Sequence, residues 1–213
     1  MTEVAPRAYR SELRARQAQE TRSRIVSAAA HLFATQGYQA TTIAAIAREA
    51  GVSAETVKST AAKAELLIAA FEVTFSGSEA AESLTDTEVA SGVLDLPDEV
   101  FLDAVLSQIT AANRRGHGLW TVLLGAALSD SVVADALRRI LEHRSADYRR
   151  LVTELLRRGV ASPDIDEPAT AEALSFLLSP ESYQQLVAQS GWERDRYAAW
   201  LRAAVLAEVT TAG

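Results

Sequence analysis

Cysteine is absent from this 213-residue chain, which excludes disulfides, thiolate metal sites and a cysteine nucleophile. Proline and glycine are scarce, five and ten, so long stretches are free of helix breakers and an all-helical fold is favoured. The three histidines, His31, His117 and His143, are scattered, and no HExxH, glycine-rich phosphate loop or GxSxG elbow occurs. Asp164, Asp166 and Glu167 read as a solvated turn leading into a helix N-terminus. Neither enzyme activity, a metal nor a cofactor is therefore expected. The longest apolar run, Leu119 to Leu128, falls short of the roughly 20 residues that span a bilayer. Met1 to Val4 lack the basic start and apolar run of a signal peptide. A soluble, cytoplasmic protein without a membrane partner is expected.

What is present is an ordinary globular mixture, 48% hydrophobic and 23% charged, with an uneven charge distribution. Up to Lys63 there are nine basic against five acidic side chains, a net +4. The remainder holds twelve against 23, a net −11, within a total of −7. A basic head on an acidic body confines nucleic-acid contact to one end. A disordered basic tail on an acidic protein would give the same asymmetry.

The periodicity divides the chain into a basic arm over residues 1–18, a mobile segment or a frayed helical extension, a head over 19–64 and a body over 65–213. Ile25, Ala28, Ala29, Leu32 and Phe33 recur at the spacing of one helical face, and Gly37 is placed to end that helix. Thr41 or Thr42 caps a second helix whose buried stripe is Ile43, Ile46 and Ala47. Gly51 supplies a tight turn, and Ser53 caps a short third helix with Val57 inward. Helix, glycine turn and short helix make a helix-turn-helix unit. Its outward residues, Ala54, Glu55, Lys58 and Ser59, are candidates for base edges, with Thr56 and Thr60 beside them. Thr42 and Ser53 can offer hydroxyls and helix N-terminal N–H groups to phosphates, or serve only as caps. Further helices are expected over Ala64 to Phe75, Asp98 to Arg115, His117 to Leu128, Ser131 to Arg158, Pro168 to Leu178 and Glu193 to Val209, with a short piece near Glu181 to Gln189. Residues 76–97 read as a boundary or loop.

Residues 20 to 75 resemble the DNA-binding head of the TetR family of bacterial regulators. The resemblance runs through Thr21-Arg22-Ser23-Arg24-Ile25, Ala28-Ala29, Leu32-Phe33, Gly37-Tyr38 and Ala40-Thr41-Thr42-Ile43. It continues through Ile46-Ala47, Ala50-Gly51-Val52-Ser53, Thr56-Val57, Lys63 and Leu66-Leu67. It implies a ligand-responsive repressor, a homodimer that binds a palindromic double-stranded operator and releases it to a small-molecule effector. It makes Lys63, together with Thr41 and Thr42, part of the DNA-binding set. The chain departs from the family after Val57, where a Tyr, then a Phe three residues later, then a Ser/Thr-Lys pair is usual. Here Lys58-Ser59-Thr60-Ala61-Ala62-Lys63 follows. Loss of a buried Phe costs about 3–5 kcal/mol in a packed site. Either Lys58 replaces the phosphate contact by charge, or the head is loosened. The second case defines the alternative function, a helical ligand-binding or interaction protein with a degenerate head.

In the body, Leu178-Ser179-Pro180-Glu181-Ser182-Tyr183, Gly191-Trp192, Tyr197 and Trp200-Leu201 resemble the C-terminus of family members from GC-rich bacteria, and arginine outnumbers lysine 19 to 2. The resemblance implies dimerisation through the last two long helices, here by Leu174, Phe176, Leu177, Tyr197, Trp200, Leu201 and Val205. Those residues equally suit an intramolecular core. It also implies an effector pocket among the middle helices, with Phe101, Val105, Ile109, His117, Trp120, Leu124 and Tyr148 as candidates. His117 and Trp120, beside the Gly116 and Gly118 interruption, are the foremost of these.

Overall fold

The computed structural model describes residues 6–79 and 92–211, with side chains from residue 13. Nine α-helices and no strand occur among the described residues, as the sparse breakers and 3.6-residue periodicity require. Four make the head: α1 (Pro6–Ala40), α2 (Ile43–Ala50), α3 (Ala54–Thr60) and α4 (Lys63–Ser76). Their apolar stripes meet in one cluster of Ile25, Ala29, Phe33, Ile46, Val57, Leu66, Leu67 and Phe71, all nearly inaccessible to solvent. Each fully buried large side chain there contributes about 1.5–3 kcal/mol.

The arm is helical where it is described, residues 6–18 continuing into α1. Residues 1–5, the side chains of 6–12 and most of the loop expected over 76–97 lie outside the described residues. Gly37 does not close α1 as a simple cap. It breaks the helix at φ 77°, ψ 175°, a combination that a Cβ would oppose, and one more helical turn follows to Ala40.

The body comprises α5 (Asp98–Ala127), α6 (Ser131–Arg157), α7 (Glu167–Leu177), α8 (Pro180–Tyr183) with a π turn at Gln184–Gln189, and α9 (Arg194–Thr210). The two helices expected over 98–128 are one. Gly116 and Gly118 lie inside α5, and the first of them serves close packing rather than a turn. A Cβ at Gly116 would stand 2.9 Å from Cδ2 and 3.2 Å from Cβ of Phe75, so α4 crosses α5 at this point. One end of α5 gives Phe101, Val105 and Ile109 to a second core with Tyr148, Leu155, Leu174, Tyr197, Leu201 and Val205. The other end gives Leu119, Trp120, Leu123 and Ala126 to the head cluster, joined by Val133 of α6. The apolar core of the head thus runs on into the body.

Arg158 fastens the start of α5 to the end of α6. Its side chain is 4% exposed and bonds the carbonyls of Leu94 (2.7 Å) and Leu96 (2.8 Å) and the carboxylates of Asp98 (2.8 Å) and Glu154 (2.5 Å). The guanidinium also stands 4.0 Å from the centre of the Phe101 ring. A buried charge needs this many partners to offset its lost hydration.

Candidate nucleic-acid interface and effector cavity

The turn between α2 and α3 is fixed at both ends. Thr42 Oγ1 accepts from Ala45 N–H (3.1 Å), satisfying one orphan donor of α2, while Gly51 closes that helix in the left-handed region at φ 67°, ψ 37°. Val52 N–H then returns to the Ala47 carbonyl (3.0 Å). Ser53 Oγ accepts from Thr56 N–H (3.0 Å) and starts α3. Val57 pins α3 to the core, fully buried, so the opposite side must face outward. Ala54, Glu55, Lys58 and Ser59 are exposed there, with Thr42 and Ser53 exposed at the two helix starts.

The remaining residues of the DNA-binding set stand differently. Thr41 is a correction: it is fully buried and its hydroxyl donates to the Gly37 carbonyl (2.8 Å), so it braces the α1 break and offers nothing to a duplex. Thr56 and Thr60 are half-buried, and Thr60 Oγ1 donates back to the Thr56 carbonyl (2.7 Å). Lys63 is half-buried with Nζ 4.4 Å from the centre of the Tyr38 ring. Burial lowers its pKa from the ordinary lysine value, and the Asp130 carboxylate partly opposes this. The position where the family has Phe is taken by Ala61, which is itself buried at the end of α3.

Two long-range contacts went unread in the sequence. Tyr38 stacks on Phe33 and donates its hydroxyl proton to Asp130 Oδ2 (2.7 Å). Asp130 also caps α6, its Oδ1 accepting from the N–H groups of Val132 (3.0 Å) and Val133 (3.4 Å). The Tyr38 hydrogen bond, aided by those caps, holds the Asp130 pKa below its ordinary value. Arg22 makes the second contact. It forks onto Glu79, with Nη2–Oε2 at 2.5 Å, and reaches the carbonyl of Thr60, the last residue of α3, at 3.4 Å. A cation there complements the partial negative charge of a helix C-terminus.

A cavity of about 450 Å³ lies between α1, α4, α5 and α6. Phe71, Phe75, Ile140 and Trp120 supply apolar wall, and Arg22, Arg139 and Arg144 are at its border. Of the seven effector candidates, Trp120 and Tyr148 line it. The others are corrected by their packing: Phe101, Val105 and Ile109 fill the second core, His117 rests on Tyr183 at 5.4 Å, and Leu124 is exposed. The dimer candidates divide too. Leu174, Tyr197, Leu201 and Val205 are buried within the chain, Tyr197 hydroxyl against Ser182 Oγ at 3.0 Å. Phe176 is 61% exposed, and Leu177 and Trp200 are half-buried.

The order of α2, the Gly51 turn and α3 is that of a helix-turn-helix unit. Residues 25–58, running from the buried face of α1 through most of α3, match the model of the bacterial regulatory proteins of the tetR family. That match covers the helix-turn-helix head alone and supports a DNA-binding transcriptional regulator. A search of curated proteins returns no match. No helix among the described residues is long and apolar enough to cross a membrane.

Proposed function

We propose that the protein is a cytoplasmic homodimeric repressor that leaves its operator when a small molecule enters the body. The observation that carries this reading is α3: a short helix, capped at Ser53 and anchored by Val57, with an exposed side of Ala54, Glu55, Lys58 and Ser59. A helix so mounted fits a major groove about 12 Å wide. Two such helices about 34 Å apart would read a palindromic site. The arm of residues 1–18 would add backbone contacts, with Arg14 and Arg16 exposed along α1.

Response to a ligand is supported by the position of the cavity. Arg22 is at once part of its border and a partner of the Thr60 carbonyl at the end of α3. An occupant that engages Arg22 changes what holds the recognition helix, a differential contact of the kind a population shift needs. Dimerisation is supported by the exposed Phe176 on α7 and by Ala199, Ala203 and Ala207, which repeat every four residues on the adjoining α9 and are exposed. Small side chains at that spacing let helices approach closely.

Footprinting across the DNA that flanks the gene tests the reading. One or more protected palindromes, bound more weakly as salt rises, are the expected result. Absence of any specific site, with binding no tighter than to random duplex, overturns it in favour of a head that has lost its function.

A further inference from the structure

The cavity wall is unevenly supplied with hydrogen-bond partners. Among the described residues, every carboxylate on it is engaged. Glu65 accepts from Ala62 N–H (2.8 Å), Glu79 from Arg22 (2.5 Å) and Asp147 from Arg150 (2.5 Å), and Glu72 also has a partner. The donors are different. The indole N–H of Trp120 has no partner although the residue is 1% exposed, and Arg139 forms no ion pair or hydrogen bond among the described residues. Arg144, half-buried above the Trp120 ring at 5.4 Å, reaches one carboxylate, Glu181, at 3.4 Å. The indole N–H is closed off by its surroundings, whereas the Arg139 guanidinium is exposed and free to take an acceptor.

We propose that this cavity binds a compact, largely apolar carboxylic acid. Its hydrocarbon body lies against Phe71, Phe75, Ile140 and the Trp120 ring, and its carboxylate is received by Arg139 and Arg144. The volume suits a molecule of one or two rings. Because four carboxylates also line the wall, the matching primary amine is the necessary control. This inference rests on the body being the sensor.

The test is titration calorimetry on the full-length protein with 2-naphthoate, 4-isopropylbenzoate and cyclohexylacetate, each beside its carboxamide and its primary amine. The acids are expected to bind about ten-fold or more tightly than their amides, the size of one charge-assisted hydrogen bond. Arg139→Gln, an exposed position that leaves the fold intact, is expected to shrink that margin while leaving amide affinity unchanged. An acid that binds no better than its amide or amine, no measurable binding by any of the three acids, or an unchanged margin in Arg139→Gln overturns the proposal. Operator binding measured alongside separates the two readings. With DNA binding intact, failure of the acids rejects this inference alone, whereas absent DNA binding rejects the regulator itself.

Discussion

The hydroxyl of Tyr38, 2.7 Å from Asp130 Oδ2, joins the break at the end of α1 to the first turn of α6 across 92 residues of sequence. Asp130 caps α6, and α6 gives the cavity Ile140, His143 and Arg144. Tyr38 stacks on Phe33 in the head core and lies beneath Lys63 at the start of α4. One hydrogen bond therefore ties the cavity-lining helix α6 to the helix-turn-helix head. Tyr38→Phe keeps the ring stack and removes the bond. Its expected cost is about 1–2 kcal/mol in urea unfolding, the range for a hydrogen bond to a charged group that is partly solvated. Asp130→Ala should cost more, because it also uncaps α6. Equal losses in the two variants would show that the tyrosine contact carries all of the effect.

Lys58 stands where the family has a phosphate-contacting tyrosine, and it is exposed on α3. If its charge does that work, Lys58→Ala weakens operator and random duplex alike. The slope of log affinity against log salt then falls by about one per head. A loss confined to the operator, with an unchanged slope, would instead assign Lys58 to a base.

The head was legible because its signals are local. Thr42, Gly51 and Ser53 act on groups within four residues of themselves, and the buried stripe of α1 repeats at helical spacing. What was missed is what only packing decides. Tyr38 with Asp130 and Arg22 with Glu79 pair residues 92 and 57 positions apart, and nothing in either neighbourhood marks the partner. Thr41 and Thr42 look alike in sequence, yet one hydroxyl turns inward to Gly37 and the other caps α2. In the tail, Tyr197, Leu201 and Val205 share an apolar face that serves an internal core or a partner equally well. The structure spends it internally.

Glu154 gives the fold an acid-sensitive clamp. Hydrogen bonds from Arg157 and Arg158 hold its pKa at about 2, below the ordinary 4.5. A carboxylate whose pKa is depressed on folding stabilises the folded state above the unfolded value. That contribution is lost as pH falls from about 4.5 towards 2. Glu154→Gln should therefore lower the melting temperature at pH 7, and the gap to the wild type should narrow steadily below pH 4.5. A gap that stays constant down to pH 2.5 would mean that the glutamate's charge is not what the arginines use.

Gly116 and Gly118 make opposite predictions from the same substitution. Alanine favours a helix interior over glycine by up to about 1 kcal/mol, and both residues lie inside α5. At Gly118 no atom lies within 4 Å of the added Cβ, so Gly118→Ala should be stabilising by roughly that amount. At Gly116 the Cβ would meet Phe75 at 2.9 Å and 3.2 Å, with its Cα at 3.5 Å, so the obstacle is the root of the side chain and the backbone behind it. Overpacking of this kind costs about 1–3 kcal/mol and outweighs the helical gain. Gly116→Ala should therefore destabilise, and Phe75→Leu in the same chain should restore part of the loss. Thermal unfolding of the two single variants and the double variant decides it. If Gly116→Ala melts above the wild type, α4 and α5 are free to separate and Phe75 is not the reason for the glycine.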